Sequence, residues 1–214
     1  MTADGSHSLY HENLHETYHS THGAYRESMH VFIENGLRVC QQKNSSIGIL
    51  EIGFGTGLNA LLTYVAARNS GHRIEYTTLE PFPLPIEISS QLSFGCDDES
   101  AESVFRRMHS ASWETEEVID SFFNLHKVKS TLQNYHSEVK FELVYYDAFG
   151  PPAQPEMWTR EVLQHTFDMM SINGILVTYC AKGQVRRDLQ ACGFQVERLP
   201  GPPGKREMLR ATKS

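Results

Sequence analysis

Paired cysteines and long apolar runs are both missing from this sequence of 214 residues. No stretch approaches the roughly 20 consecutive apolar residues that cross a bilayer, and the amino-terminal segment lacks the basic-then-apolar order of a signal peptide. The cysteines form no CxxC pair, which argues against a zinc ribbon or a disulfide scaffold. We therefore expect a cytosolic protein without a membrane partner, and reduced thiols at Cys40, Cys96, Cys180 and Cys192.

Positive charge is also scarce, because the formal net charge is −7. A nucleic-acid partner needs local positive charge to displace counterions, so this balance argues mildly against one. The charge is uneven, however: residues 182–213 carry eight basic and three acidic side chains, a local +5 that leaves −12 for residues 1–181. A basic carboxyl-terminal segment on an acidic body keeps a phosphate-bearing partner open.

Internal repeats and low-complexity linkers are absent as well, and the length suits one domain. Apolar runs bounded by turn residues predict strands at residues 47–52, 73–79, 141–146, 174–179, 195–199 and 207–211. Helical patterns predict helices at residues 58–67, 86–94, 159–170 and 184–192, with a helical insertion within 95–122. Strands that alternate with helices predict an α/β fold with a mostly parallel, doubly wound sheet.

A glycine-rich segment directly follows the first predicted strand, and an acidic residue precedes it. Glycines let the backbone turn sharply and approach a ligand, and the helix that follows offers free N–H groups to an anion. The GxGxG spacing after an acid favours S-adenosylmethionine over the GxGxxG of dinucleotide sites, with a purely structural turn as the alternative. The predicted cofactor-binding residues in this segment are Glu51, Gly53, Phe54, Gly55, Thr56, Gly57, Leu58 and Asn59.

Acidic residues at strand ends add to the predicted cofactor site. Glu51 is expected near the cofactor's ammonium, and Glu80, at the end of the second strand, can accept hydrogen bonds from ribose hydroxyls. Many class I methyltransferases, which use S-adenosylmethionine, place an acid after the third strand to contact the adenine amino group. Here residues 127–132 read KVKSTL. Ser130, Thr131 or a backbone group would have to take that role.

Three stretches of the sequence resemble one methyltransferase family. Residues 147–152 read DAFGPP and residues 154–158 read QPEMW, similar to its DxFxP…NPEMW motif. Residues 16–33, from ETYHS to HVFI, and residues 204–208, GKREM, match it as well. The family is the methyltransferase module of the tRNA 5-methylaminomethyl-2-thiouridine biosynthesis proteins MnmC and MnmD, and the matches bracket almost the whole chain.

The resemblance implies a Rossmann-like class I methyltransferase with a seven-stranded sheet whose last strand is antiparallel. Residues 1–46 would form a hairpin and a helix that cover the active-site cleft, and residues 47–214 would form the cofactor-binding catalytic domain. The implied reaction is methylation of 5-aminomethyl-2-thiouridine at the tRNA wobble position. The implied partner is therefore the anticodon stem-loop.

The reactive centre is expected in the loop that begins at Asp147. Methyl transfer to a primary amine needs the amine deprotonated and held within about 3 to 3.5 Å of the methyl group. Asp147 can orient the amine and accept its proton, while Phe149 can face the aminomethyl group or stack on the base. Pro151 would stiffen the loop and contact the substrate, and Asp147 would contact the cofactor as well. An N-cap or loop-bracing carboxylate is the alternative interpretation of Asp147.

Residues near both ends of the chain are predicted to contact the substrate. Tyr18, Glu27 and Ser28 would close the site, with Glu27 holding an amine or the cofactor's methionine end, unless Glu27 and Ser28 cap a surface helix. Lys205 and Arg206 would contact phosphates, with a solvated charged face as the alternative.

Four histidines recur every four residues, at His7, His11, His15 and His19, which on a helix would align their imidazoles. The turn-forming residues between them disfavour a helix, and no cysteine or carboxylate cluster completes a metal-ligand set. We therefore expect an extended hairpin in this segment and no metal.

Two other functions stay open at this point. A class I methyltransferase acting on a small-molecule amine would suit the acidic net charge and the lack of an appended RNA-binding domain. A cofactor-binding protein without catalysis would need the glycine segment but not Asp147. The sequence does not predict an oligomeric state.

Overall fold

The computed structural model describes residues 1–43, 45–94 and 99–214. Its strands are β1 (Tyr10–His11), β2 (Glu16–Thr17), β3 (Ser46–Ile52), β4 (Arg73–Leu79), β5 (Glu116–Asp120), β6 (Phe123–Val128), β7 (Phe141–Tyr146), β8 (Met170–Thr178), β9 (Phe194–Pro200) and β10 (Glu207–Lys213). Its helices are α1 (Ala24–Ser28), a π-helical stretch (Met29–Leu37), α2 (Arg38–Gln41), α3 (Leu58–Ser70), α4 (Ile86–Ser89), α5 (Glu99–Ser110), a 3-10 helix (Pro155–Trp158), α6 (Arg160–Asp168) and α7 (Gly183–Ala191).

One large sheet organises the chain. Its strand order is β5-β6-β4-β3-β7-β8-β10-β9, and the neighbours from β6 to β8 are parallel. Strand β10 runs antiparallel to both of its neighbours, β8 and β9. The predicted mostly parallel, doubly wound sheet with an antiparallel last strand is confirmed. The sheet has eight strands rather than seven, because β5 pairs antiparallel with the edge of β6.

Apolar side chains cover both faces of this sheet. Successive residues of a strand point to opposite faces, so Ile49 and Tyr145 pack in one core while Leu50 and Val144 pack in the other. The helix of residues 24–41 and helix α3 cover the first face, and α6 and α7 cover the second. Burial on both faces explains why the central strands are nearly continuous apolar runs.

The amino-terminal segment forms a small ladder followed by a long helix. Strands β1 and β2 pair antiparallel, with Tyr10 opposite Thr17 and His11 opposite Glu16. Helix α1, the π-helical stretch and α2 follow one another without interruption over residues 24–41. At Gly36 this helix approaches the sheet closely, since a Cβ there would lie 3.0 Å from Val177 Cγ2.

Two predictions within residues 86–122 are wrong in part. The helix expected at 86–94 is the single turn Ile86–Ser89. The expected insertion is helical over Glu99–Ser110, but strand β5 follows and pairs with β6. Buried Ile119, Phe123 and Leu125 alternate with more exposed neighbours, the period of a strand pair rather than of a helix. Residues 95–98, which include Cys96, lie outside the described residues.

The boundary between α6 and β8 also differs from the prediction. The helix begins after Thr159, whose Oγ1 accepts a hydrogen bond from the Val162 N–H at 3.4 Å as an N-cap. It ends at Asp168, and Met170 already pairs with Phe141 in the sheet. Strand β8 therefore starts four residues before the predicted position at 174. No helix among the described residues is long and apolar enough to cross a membrane.

Truncation of a core residue in β3 tests this packing. Ile49→Ala should lower the free energy of unfolding by about 2–5 kcal/mol, because it opens a cavity at a fully buried position. Val118→Ala in β5 is the matched control, since Val118 is 61% exposed and should contribute less than about 0.5 kcal/mol. Urea denaturation followed by circular dichroism measures both, and equal losses would contradict the assigned positions.

Candidate active site

A cavity of about 650 Å³ opens at the carboxyl edge of the sheet. The residues that follow five strands all line it: Gly53 after β3, Glu80 after β4, Ser130 after β6, Asp147 after β7 and Tyr179 after β8. Open α/β sheets bind ligands at this edge because the loops there converge. The β1–β2 hairpin adds the outer wall with His11, Asn13, Leu14 and Tyr18.

The glycine segment forms the floor of the cavity. Gly53, Gly55 and Gly57 have φ of 92°, 50° and 76°, a region that favours glycine. Gly53 and Gly55 line the cavity, whereas Gly57 is the residue that caps the start of α3. A Cβ on Gly55 would lie 3.2 Å from the Tyr18 ring, so the hairpin rests directly on this loop. The neighbouring residues that also line the cavity are Phe54, Thr56, Leu58 and Asn59.

Glu80 braces the glycine loop from the neighbouring strand. Its Oε2 accepts a hydrogen bond from the Gly55 N–H at 3.0 Å, and its Oε1 accepts one from the Phe82 N–H at 2.9 Å. Burial raises the pKa of this carboxyl above its usual range. An ionised carboxylate has about four acceptor positions, so hydroxyl donors in the cavity can still bind to it.

A cluster of two carboxyl groups and one amide lies beneath the cavity. Asn59, in the first turn of α3, donates a hydrogen bond from Nδ2 to Asp147 Oδ2 at 2.8 Å. Glu51 is fully buried and accepts a hydrogen bond from Thr78 Oγ1 at 2.7 Å. Burial raises the pKa of Glu51 to about 8, and the charge of Asp147 adds to that rise. Burial likewise raises the pKa of Asp147 to about 8. The cluster therefore holds two acidic groups and no basic group.

Two buried acceptor atoms of this cluster, Glu51 Oε1 and Asn59 Oδ1, have no hydrogen-bond partner among the described residues. Buried polar atoms are nearly always paired. Asn59 lines the cavity, so its orphaned acceptor indicates a donor that a ligand brings, whereas Glu51 is fully buried next to the Tyr76 hydroxyl. An ammonium group carries donors only. The residues present therefore fit the amino group of S-adenosylmethionine, although Glu51 lies behind the cavity wall that Asn59 forms.

Aromatic rings surround the predicted reactive loop. The Phe149 ring lies 5.3 Å from the Tyr18 ring and 5.6 Å from the His11 ring, edge-on to both, measured between centroids. Trp158 Nε1 donates a hydrogen bond to the Phe149 carbonyl at 2.7 Å, which ties the loop to the core. Pro151 lies in the same loop but does not line the cavity.

The turn after β6 also lines the cavity. Ser130, Thr131, Leu132 and Gln133 all contribute to its wall. Ser130 Oγ donates a hydrogen bond to the Thr131 carbonyl at 3.1 Å, and its own lone pairs remain available as acceptors. Gln133 Nε2 donates to the Glu156 carbonyl at 3.4 Å.

Of the predicted substrate residues at the two chain ends, Tyr18 lines the cavity, whereas Glu27, Ser28, Lys205 and Arg206 do not. Glu27 is 6% exposed and forms an ion pair with Lys205. Ser28 is 1% exposed, so neither Glu27 nor Ser28 is a surface helix cap. Arg206 is exposed beside Lys205.

The four regularly spaced histidines have separate surroundings. His7 Nδ1 lies 3.1 Å from the Gln91 carbonyl, and His15 Nδ1 lies 3.3 Å from the Tyr10 hydroxyl. His19 Nε2 lies 3.3 Å from Thr56 Oγ1, which links the hairpin to the glycine loop. No group of three or more metal-ligating side chains occurs among the described residues.

Several residues of the cavity wall were not predicted from the sequence. Tyr179 follows β8 as Asp147 follows β7, so the convergence of strand ends could have identified it. Other wall residues that were not predicted include His11, His19, Phe82 and Gln133. The histidines belong to the hairpin, whose placement over the sheet edge depends on tertiary contacts that no local pattern carries.

Comparison with known proteins agrees with this site. Residues 107–214 match the family described as S-adenosyl-L-methionine-dependent methyltransferase. The chain belongs to this family. Its cofactor is S-adenosyl-L-methionine, as the glycine segment indicated, and the resemblance predicted from the three motifs is confirmed.

The curated relatives are longer than this methyltransferase. The tRNA 5-methylaminomethyl-2-thiouridine biosynthesis bifunctional protein MnmC of Campylobacter hominis is 28% identical over 95% of this chain and 31% of its own length. The protein of the same name from Cupriavidus necator is 30% identical over 92% of this chain and 32% of its own length. The chain thus spans about a third of the length of these relatives.

Two solved structures illustrate the range of structural likeness. MNMC2 from Aquifex aeolicus superposes with a TM-score of 0.83 at 26% identity, over 98% of this chain and 68% of that one. CalS10, an amino pentose methyltransferase from Micromonospora echinaspora, gives a TM-score of 0.53 at 12% identity over 97% and 99% of the two chains. The second similarity shows the fold alone.

A pair of glycine substitutions separates the cofactor site from backbone strain. Gly55→Ala should weaken binding of S-adenosylhomocysteine at least about tenfold, a loss of about 1.4 kcal/mol, because the added methyl meets Tyr18 inside the cavity. Gly71→Ala carries a similar strain, with φ of 73°, but faces open space outside the cavity. Titration calorimetry should find its affinity unchanged. Equal weakening in both variants would assign the effect to folding.

Proposed function

We propose that the protein transfers a methyl group from S-adenosylmethionine to 5-aminomethyl-2-thiouridine at the tRNA wobble position, giving 5-methylaminomethyl-2-thiouridine. The observation that carries the proposal is the Asp147–Phe149 loop, in which a carboxylate and an aromatic ring line the cavity together. The similarity to MnmC over at least nine tenths of this chain supports the same substrate.

The cofactor's parts have matching groups along the cavity. S-adenosylmethionine, when bound, supplies the methyl group. Asn59 offers its unpartnered acceptor to its ammonium, with the fully buried Glu51 carboxyl nearby, and Glu80 offers its remaining acceptor positions to the ribose hydroxyls. The glycine loop lets the backbone approach closely. The turn from Ser130 to Gln133 is then left for the adenine.

Asp147 is the residue proposed to prepare the amine. A primary alkyl amine is protonated at neutral pH, so it must lose a proton before nitrogen can attack. The Asn59 amide holds Oδ2 of Asp147, which leaves Oδ1 to accept a hydrogen bond from the amine and then its proton. A carboxyl group whose pKa is about 8 is a much stronger base than an ordinary aspartate.

The aromatic residues are proposed to hold the rest of the nucleoside. Phe149, Tyr18 and His11 form one wall of the cavity, and the Phe149 ring lies edge-on to the other two. Such rings stack on an unpaired base and favour a nearby cationic amine. A wobble uridine in an anticodon loop presents its base in this unpaired form.

The anticodon stem-loop is proposed to dock along the basic carboxyl-terminal part of the chain. Lys182 and Arg187 are exposed around the start of α7, and Arg206 is exposed in the β9–β10 loop. Strands β8 and β9 both end at the cavity's edge of the sheet, so the segments that carry these side chains begin at that edge. Phosphate contacts from them would position the RNA without reading its sequence.

A methyltransferase of a small-molecule amine is the second candidate, favoured by the −12 carried by residues 1–181. Incubation with labelled S-adenosylmethionine and hypomodified tRNA, followed by mass spectrometry of the nucleosides, separates the two. Label in 5-methylaminomethyl-2-thiouridine is expected. If the wobble uridine stays unlabelled while free amines are methylated, the second candidate replaces the first.

Removal of the proposed base tests the role of Asp147. Asp147→Ala should lower kcat by about 10² to 10⁴, the usual range for loss of a general base. Binding of S-adenosylhomocysteine, measured by calorimetry, should weaken far less than kcat falls, because the glycine loop and Glu80 are intact. A variant with normal turnover would favour the loop-bracing interpretation, or a protein whose function needs the cofactor but not catalysis.

Cofactor binding is expected to release protons. With a pKa of about 8, Glu51 and Asp147 are mostly protonated at pH 7 in the free protein. An ammonium beside them favours the ionised form, so their pKa values fall on binding and protons leave. Calorimetry of S-adenosylhomocysteine in buffers of different ionisation enthalpy counts these protons. Glu51→Gln should release fewer than the wild type, and equal release would remove Glu51 from the ammonium site.

A further inference from the structure

An ion pair joins the two ends of the chain behind the reactive loop. Lys205, in the β9–β10 loop, donates from Nζ to Glu27 Oε1 in α1. The second oxygen of Glu27 accepts a hydrogen bond from the Ser20 N–H at 3.1 Å. The Glu27 side chain is 8% exposed and that of Lys205 is 31% exposed, so water screens this pair far less than a surface pair.

The same lysine is clamped on an aromatic wall of the cavity. Its Nζ lies 3.7 Å from the centroid of the Tyr179 ring, a close cation–π contact. The Tyr179 hydroxyl donates a hydrogen bond to the Ala148 carbonyl at 2.9 Å. Ala148 directly follows Asp147. Lys205 is therefore connected to the reactive loop through one ring and one hydrogen bond.

The β9–β10 loop is shaped to deliver this lysine. Gly204 has φ of 86°, and any side chain there would collide with the His22 ring. At Gly201 a Cβ would lie 2.8 Å from the Glu207 nitrogen, which no real Cβ tolerates. Both glycines are thus required for the loop to fold against the amino-terminal segment. This requirement explains why the matched stretch at 204–208 begins with a glycine.

The pair also acts on the charge of Asp147. Burial is the main influence on the pKa of this carboxyl and raises it, while the Asn59 hydrogen bond lowers it. Of the charged neighbours, Glu27 raises the pKa and Lys205 lowers it. Three other titratable groups surround the carboxyl: Glu51 from β3, Tyr76 from β4 and Tyr179 after β8.

We infer that Lys205 and Glu27 are positioning residues for methyl transfer: their ion pair, clamped on Tyr179, fixes the Asp147 loop and sets the electric field at its carboxylate. The inference rests on the proposed role of Asp147 as the base. In this inference Lys205 binds Glu27 within the protein, so its exposed basic neighbours in the carboxyl-terminal segment make the phosphate contacts. Glu27 correspondingly contacts Lys205 rather than the substrate amine.

Substitutions at the two ends of the pair should act in opposite directions, which loss of structure alone would not do. Lys205→Met keeps the stem and removes the positive charge, so the pKa of Asp147 should rise, by about 1 pH unit for a partly buried neighbour. Glu27→Gln removes the negative charge, so that pKa should fall. Lys205→Arg should restore the wild-type value. Arg210→Met is the matched control, because Arg210 pairs with Glu197 on the same hairpin.

Carbon-13 NMR of protein labelled at aspartate carboxyls measures these shifts without any methyl acceptor, with Asp147→Asn assigning the signal. The pH dependence of kcat/KM on the confirmed acceptor should move its acidic limb the same way, upward for Lys205→Met and downward for Glu27→Gln. Tyr179→Phe, which loses the hydrogen bond to Ala148, should lower kcat with little change in the pKa of Asp147.

The outcomes separate this inference from the proposed function. Opposite shifts in the NMR titration support the positioning role even if tRNA is not methylated. Shifts of the same sign, or none, in variants that still melt cooperatively and bind S-adenosylhomocysteine would overturn it. An equal shift in Arg210→Met would also overturn it, since the effect would then come from general charge.

Discussion

The site depends on two carboxyl groups, Glu51 and Asp147, that end adjacent parallel strands with no cation between them. The register of β3 against β7 places Glu51 beside Tyr145, two residues before Asp147. Burial in this position raises the pKa of both groups to about 8, and the Asn59 amide donates a hydrogen bond to Asp147. Isolated buried charge is costly. The cavity is therefore completed electrostatically by a ligand that carries positive charge.

The parts of the chain far from the glycine motif serve this arrangement. Helix α5 supports the loop from one side, with His109 Nε2 lying 3.1 Å from the Thr56 carbonyl. The hairpin covers it from above through Tyr18 and His19. The carboxyl-terminal β9–β10 loop reaches the reactive loop from behind through Lys205. The cavity is thus braced by three segments that lie far apart in the sequence.

The fold follows from local patterns far more readily than the site does. Strands β4 and β7 begin and end at the predicted residues, because apolar runs buried on both faces leave few alternatives. Strand β5 was missed because only one of its residues, Ile119, is buried, so it carries little apolar signal. The glycine segment, Glu80 and Asp147 could be proposed from the sequence because they follow strands. Lys205 was expected to contact phosphates, since its pairing with Glu27 across 178 positions leaves no trace in local sequence.

The distribution of charge reconciles an acidic protein with a proposed RNA substrate. Both species of the proposed reaction carry positive charge, the cofactor at its sulfonium and the amine before it loses its proton, and each favours the ionised form of the carboxyl cluster under the cavity. A phosphate backbone would be repelled by the same cluster at close range. Lys182, Arg187 and Arg206 are exposed in the carboxyl-terminal part of the chain and do not line the cavity. In the proposed reaction these side chains would therefore hold the RNA backbone outside the cavity, while the aminomethyl group enters it.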